Sequence, residues 1–207
     1  MFNVVLVEPE IPANTGNIGR TCVVTGSRLH LVEPIGFSLD DKMLHRAGLG
    51  YWNSLDLVVH DSWQAFLDYC GFSVGDPNPR LHLLTKKAKK VYSTASYNDG
   101  DFLVFGKESD GLPEEVLAEF PENCERIPML ADEFTIRDRE SWGESFEEAH
   151  SGNAASDNAD SPIRQQDICG NFIDPDDYKI SALNLSNAAA IVLYEALRQT
   201  GFEGMPS

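Results

Sequence analysis

The sequence has few basic residues, few cysteines and no long apolar run. Its 207 residues include 16 lysines and arginines against 33 acidic residues, a formal net charge of −17. Proteins that bind phosphate backbones usually present basic surface, so composition alone predicts no RNA binding. No apolar stretch approaches the about 20 residues that cross a bilayer, which argues against a transmembrane helix and predicts no membrane partner.

The four cysteines are scattered along the chain, at Cys22, Cys70, Cys124 and Cys169. None belongs to a C-x-x-C pair, and none has the spacing to histidine that zinc sites use. The pattern therefore predicts neither a metal site nor a disulfide framework, and it fits the reducing cytoplasm.

The acidic charge is concentrated between Ala131 and Tyr178, which holds 13 acids and 3 bases, a net charge of −10. Residues 144–162 lack periodic apolar positions, so this part cannot bury enough surface to offset its chain entropy. We expect a single domain over 1–207 that carries an acidic, flexible insertion at about 131–178, with a short ordered part around Ile168 to Ile173. The insertion is interpreted as a solvated loop; the alternative is a mobile lid that screens the site.

Elsewhere, short apolar runs alternate with helical patterns. The runs predict strands at 2–7, 29–32, 55–59, 81–85 and 102–105. Helices are predicted between them and from Asn184 to Gly201, where apolar residues recur at helical spacing. In the first helix, Asn14 or Thr15 is the expected N-cap and Gly26 the expected C-cap. The helix after the third strand is expected to be capped at Asp61 and to run to about Cys70. This alternation predicts an α/β fold with a mainly parallel sheet and helices on both faces.

Four polar or glycine-containing segments follow predicted strands, at the sheet edge where α/β proteins bind ligands. Each alone has an ordinary structural explanation: a helix start, a turn glycine or a surface ion pair. The first segment reads N-T-G-N-x-x-R from Asn14, and the second is Leu84 to Lys87. The third reads F-G-x-E-x-x-G-L-P from Phe105. The fourth is split into R-I-P-M from Arg126 and L-N-L-S-N-A from Leu183.

In this order the segments resemble the SpoU branch of the SPOUT methyltransferases. P-E-I-P-x-N-T-G-N-I from Pro9 and R-A-G-L-x-Y from Arg46 are most similar to the tRNA (cytidine/uridine-2′-O)-methyltransferases of the wobble nucleotide. The resemblance covers 1–130 and 179 to about 201. It implies S-adenosylmethionine (AdoMet) as cofactor, S-adenosylhomocysteine as product, tRNA as substrate, a C-terminal trefoil knot, and a homodimer whose sites combine residues from two subunits.

The resemblance also assigns site residues. Arg20 matches the catalytic arginine, and the other matching catalytic-site positions are Asn14, Glu108, Ser186 and Asn187. Cofactor contacts, many of them through backbone groups, are implied for Leu84, Gly106, Ile127, Met129, Ala182 and Leu183.

RNA contacts are expected from Lys86 and Lys87, which follow a strand that should end at the site, and from Arg46. The alternative is a solvated lysine-rich loop. The chain departs from the family pattern in three places: about forty extra residues separate R-I-P-M from L-N-L-S-N, Ala182 replaces a common serine, and Gly50 replaces an aspartate.

The expected chemistry is methylation of a ribose 2′-hydroxyl, which is a poor nucleophile near neutral pH. An arginine is often assigned as the base in this family, but a guanidinium, with a pKa above about 12, hardly deprotonates in proteins. We hypothesise that Arg20 stays charged, holds the adjacent phosphate and stabilises the forming alkoxide. Alternatives are a ribosomal-RNA 2′-O-methyltransferase and a catalytically silent AdoMet- or RNA-binding module; a Rossmann dehydrogenase is excluded because no G-x-G-x-x-G follows the first strand.

Overall fold

The computed structural model describes residues 1–38, 50–75, 78–129, 165–166, 172–173 and 182–205. In chain order, its first elements are β1 (Asn3–Val7), α1 (Pro12–Thr25), β2 (Arg28–Val32), β3 (Leu57–His60), α2 (Trp63–Cys70) and β4 (Leu81–Leu84). They are followed by β5 (Phe102–Phe105), α3 (Glu114–Glu119), β6 (Cys124–Glu125), β7 (Gln165–Gln166), β8 (Phe172–Ile173) and α4 (Leu185–Gln199).

Six strands form one parallel sheet in the order β3-β2-β1-β5-β4-β6. On one side of β1 the chain adds β2 and then β3. It then crosses to the other side, where β5 pairs with β1 and β4 and β6 lie farther out. The carboxyl ends of β1 and β5 therefore flank the point where the strand order reverses, which is where open α/β sheets bind ligands. The predicted parallel α/β sheet is confirmed.

Side chains alternate between the two faces of the sheet, so each face has its own core. In β1, Val4 and Leu6 pack with α1 and α4, whereas Val5 and Val7 pack with α2 and α3. Both faces of a parallel strand must be covered because both are apolar. Helices on both faces, as predicted, supply this cover.

Buried polar side chains pair across the sheet. His82 lies between Asp101 and Glu125, at 3.2 and 3.0 Å, and Glu125 also accepts from Lys90 and from the Tyr97 hydroxyl. Burial acts to lower the pKa of His82, but its hydrogen bonds with Asp101 and Glu125 outweigh burial and raise it. These contacts fix β6, and β6 leads directly into the R-I-P-M segment.

A second buried pair lies on the opposite face, between β2 and β3. His30 Nδ1 lies 3.0 Å from His60 Nε2. Burial, and next the neighbouring His60, lower the pKa of His30 to about 3. Both rings pack against Phe66, so this pair acts as a neutral part of the core.

The main differences from the sequence-based expectation are at the starts of three elements. Helix α1 begins at Pro12 after an Ile11 cap, because proline suits the first helical position; Asn14 and Thr15 lie inside the helix. Helix α2 is capped by Ser62, not by Asp61. Strand β3 starts two residues late because a 3₁₀ turn over Trp52–Ser54 precedes it. The C-cap at Gly26, with φ 64°, is confirmed.

Strands β7 and β8 form a two-stranded antiparallel sheet within the acidic segment. The flexibility of the rest of 131–178 and the trefoil knot stay predictions, since most of 130–181 lies outside the described residues. Within the described part of the chain, no helix is long and apolar enough to cross a membrane. No group of three or more His, Cys, Asp or Glu side chains among those residues could hold a metal ion.

Candidate active site

Four side chains from the first turn of α1, the loop after β5 and the start of α4 form a continuous chain of hydrogen bonds at the carboxyl end of the sheet. Asn184 donates to Asn14 (2.9 Å), and Asn14 donates to Glu108 (2.9 Å). At one end, Glu108 accepts from the backbone N–H of Glu10; at the other, Asn184 accepts from the N–H and the hydroxyl of Ser186. We call Glu108, Asn14, Asn184 and Ser186 the amide relay.

Backbone donors fix the direction of the amide relay. The Ser186 N–H requires an acceptor on Asn184, which then turns its amide nitrogen toward Asn14. Asn14 in turn presents its nitrogen to Glu108, whose second oxygen faces the Glu10 N–H. Glu108 must accept at both oxygens, a requirement that an ionised carboxylate meets. Both oxygens of Glu108 therefore serve to join its loop to Glu10 and to Asn14.

The loops after β1 and β5 are held together by further contacts. Glu10 accepts from the N–H and the hydroxyl of Ser109, and Lys107 forms an ion pair of 3.3 Å with Glu8. Charge-assisted bonds of this kind are stronger than neutral ones. The point where the strand order reverses is thus a rigid, polar surface.

Arg20 lies on a different side of α1 from Asn14. Its side chain is exposed, whereas Asn14 is buried. The guanidinium carbon lies 5.1 Å from the centre of the Tyr51 ring, and the Tyr51 hydroxyl donates to the carbonyl of Gly16 at 2.6 Å. With the described residues the Arg20 side chain forms no hydrogen bond or ion pair, so its guanidinium N–H donors are open to a ligand.

Two of the predicted cofactor positions border the same core. Leu84 and Ile127 are half-buried and pack against the same core cluster as Leu185, at the start of α4. The backbone groups of Ile127 and Met129 form no hydrogen bond with another described residue. Half-buried apolar side chains beside available backbone groups fit an adenine ring that is bound mainly through the main chain.

Gly106 is explained by the loop itself. A Cβ at this position would lie 2.0 Å from the carbonyl carbon of Gly111. The loop folds back so that Lys107 and Gly111 exchange two backbone hydrogen bonds, and Gly111 has a φ of 77°. Both glycines are needed for this turn, whether or not a cofactor touches it.

Three predicted residues near α4 are exposed. They are Ala182, Asn187 and Leu183, and Leu183 is 40% exposed. The Asn187 side chain forms no hydrogen bond with a described residue, unlike the side chain of Ser186 beside it. The structure thus brings Ser186 into the amide relay and leaves Asn187 on the outer side of the helix.

The predicted RNA-binding lysines differ in their surroundings. Lys87 forms an ion pair with Glu114, and Lys90 pairs with Glu125. Lys86 and Lys89 have no acidic partner among the described residues. Arg46 lies outside the described residues.

Sequence reasoning missed Asn184, Glu10, Ser109 and Tyr51 as site residues. Asn184 was visible only as a helix cap, a role that it also has. Tyr51 ends the R-A-G-L-x-Y motif, so the signal was present, but its contact with Arg20 depends on tertiary packing.

A parallel sheet whose strand-end loops are joined by a polar network is the arrangement of a ligand-binding α/β protein. The model of the SpoU rRNA Methylase family matches residues 1–134. The tRNA (cytidine(34)-2′-O)-methyltransferase of Saccharophagus degradans is 39% identical over 205 residues, which cover 99% of each chain. This chain belongs to the SpoU methylase family.

Solved structures share the fold. One, described as giving structural insights into the 2-OH methylation of C/U34 on tRNA, is 32% identical with a TM-score of 0.66, and 97% of each chain is covered. A SpoU methyltransferase from Streptomyces viridochromogenes, solved in complex with the cofactor AdoMet, is 20% identical with a TM-score of 0.59. That comparison covers 96% of this chain and 57% of the other.

Proposed function

We propose that this protein is an AdoMet-dependent methyltransferase that modifies the ribose 2′-hydroxyl of the wobble cytidine or uridine of tRNA. The observation that carries the proposal is the whole-length similarity to a tRNA (cytidine(34)-2′-O)-methyltransferase. The amide relay and the open donors of Arg20 support it, because they place polar groups where the fold binds ligands.

When bound, AdoMet would supply the methyl group and leave as S-adenosylhomocysteine, and the ribose hydroxyl would release its proton to water. The protein must then orient a ribose oxygen behind that methyl group and stabilise the negative charge that develops on the oxygen. Arg20 is suited to the second task because its planar fork can bind a phosphate and a forming alkoxide together. The amide relay is suited to the first, since it fixes the start of α1, the loop after β5 and the start of α4 relative to one another.

Label transfer tests the proposal. The protein is incubated with AdoMet carrying a labelled methyl group and with total tRNA, and nucleosides from the digested tRNA are separated. We expect label in 2′-O-methylcytidine or 2′-O-methyluridine. Label in ribosomal RNA but not in tRNA would contradict the substrate, and AdoMet binding without transfer to any RNA would indicate a silent binding module.

We further propose a homodimer whose active sites combine the amide relay of one subunit with Arg20 of the other. Within one chain, Arg20 projects away from the amide relay. Helices α1 and α4 cover the same face of the sheet, and both expose large apolar side chains. These are Val24 on α1, 66% exposed, and Ile191 and Tyr194 on α4, 37% and 47% exposed. An exposed apolar patch of this kind is typical of a subunit interface.

Co-expression of two inactive variants, Arg20→Ala and Glu108→Gln, tests the combined site. In a mixed dimer, one site takes an intact relay from one subunit and an intact arginine from the other. We therefore expect co-expressed protein to recover about one quarter of wild-type activity, because half of the dimers are mixed and each has one intact site. Separately purified variants are the control, and no recovery in verified mixed dimers would contradict the shared site.

The lysines after β4 should contribute unequally to tRNA binding. Lys86→Ala is expected to weaken binding by about 3- to 10-fold and to lower the salt slope by about one, because it removes an available phosphate contact. Lys87→Ala should have a smaller effect, since Lys87 is already paired with Glu114. The measurement is tRNA affinity at several salt concentrations. Equal losses for both variants would contradict this assignment.

A further inference from the structure

Tyr51 contacts the Arg20 side chain and is itself held in place. Its hydroxyl donates to the Gly16 carbonyl of α1, one turn before Arg20. The next residue packs equally closely: a Cβ on Gly19 would lie 3.2 Å from the ring of Trp52 and 3.2 Å from Leu55. The segment after residue 50 is therefore seated on α1, with the Tyr51 ring beside the guanidinium.

The chemistry of the contact matters because the chain is rich in acidic residues. An aspartate or glutamate next to Arg20 would neutralise its charge and occupy the N–H donors that bind phosphate. An aromatic ring holds a guanidinium by its face and leaves the donors at the edge free. Burial raises the pKa of the Tyr51 phenol, and the nearby Arg20 partly opposes this rise.

We infer that Tyr51 is a positioning residue for Arg20: its ring, anchored through Gly16, holds the guanidinium in the orientation that methyl transfer needs while leaving every N–H donor free for RNA. The inference rests on the proposed function. It goes beyond that function because it gives Tyr51 a role and predicts that Tyr51 acts only through Arg20.

Three substitutions separate the contribution of the Tyr51 ring from that of its hydroxyl. Tyr51→Phe keeps the ring and loses the bond to Gly16, Tyr51→Gln keeps a polar tip that can donate to Gly16 but loses the ring, and Tyr51→Leu loses both. We expect kcat to fall by about 10-fold in the glutamine and leucine variants and by less than about 3-fold in the phenylalanine variant. The Kd for AdoMet should be unchanged in all three. Tyr69→Leu, an exposed tyrosine on the other face of the sheet, is the matched control.

A double-mutant cycle decides whether Tyr51 acts through Arg20. Single-turnover label transfer is measured for Tyr51→Gln in the wild-type background and in an Arg20→Ala background. We expect the effect of Tyr51→Gln to shrink from about 10-fold to less than about 2-fold when the arginine is absent, because coupled residues are not additive. An equal effect in both backgrounds, or a phenylalanine variant as impaired as the glutamine variant, would overturn the inference. A wild-type protein that transfers no label to tRNA would instead overturn the proposed function.

Discussion

Arg20→Ala is expected to lower kcat by about 100- to 1000-fold, the usual cost of removing a preorganised donor from a developing oxyanion. The affinity for AdoMet should stay close to that of the wild type, because the proposed cofactor contacts lie at Leu84, Ile127 and Met129. The measurements are single-turnover methyl transfer and AdoMet binding by calorimetry. A variant that binds AdoMet and transfers methyl groups at nearly the wild-type rate would remove Arg20 from the mechanism.

Arg20→Lys distinguishes a charged arginine from a general base. A lysine keeps the positive charge but not the planar fork, so we expect a rate between those of the wild type and the alanine variant, with no rise toward high pH beyond that of the alanine variant. A base would behave differently, since a lysine amine accepts a proton only when it is neutral. A rate that recovers only as pH approaches the pKa of lysine, about 10, would support the base and contradict our assignment.

Glu108→Gln is expected to lower kcat by about 100-fold and to reduce the free energy of unfolding by about 1–3 kcal/mol. The new amide can accept from the Glu10 N–H, but it must then present its nitrogen to the nitrogen of Asn14. If Asn14 turns over, the mismatch passes to Asn184, and finally to the backbone N–H of Ser186, which cannot turn. Methyl transfer and denaturant unfolding measure the two effects.

The matched rescue is Asn14→Asp combined with Glu108→Gln. Asn14→Asp alone places two carboxylates at hydrogen-bond distance, which is unfavourable. In the double variant, the amide at position 108 donates to the carboxylate at position 14, and that carboxylate still accepts from Asn184. We therefore expect the double variant to be more active and more stable than either single variant. Additive losses of activity and stability in the double variant would show that the donor-to-acceptor direction of the amide relay is unimportant.

The fold was predictable to the extent that it follows from local patterns. Apolar runs marked every strand of the sheet apart from β6, and β6 is only two residues long. Gly26 marked the end of α1 because its left-handed conformation favours glycine. The predicted start of α1 was wrong, because Asn14 resembles a cap in sequence but its amide forms hydrogen bonds with Glu108 and Asn184.

The site was predictable as a set of loops but not as a set of contacts. Parallel strands place their carboxyl ends at one edge, so loops after β1 and β5 were expected to meet. The bond between Asn14 and Asn184 joins residues 170 positions apart and leaves no local signal. For the same reason, sequence alone could not show that Lys87 is paired with Glu114 while Lys86 has no acidic partner among the described residues.

The most direct test uses two anticodon stem-loops that differ only at the ribose of nucleotide 34, one with a 2′-hydroxyl and one with a 2′-hydrogen. Both are incubated with the wild-type protein and labelled AdoMet under single-turnover conditions, after binding has been shown to be equal. Label should appear in the first RNA and not in the second. Equal labelling of both would mean that the methyl group goes to another atom, and it would contradict the proposed reaction.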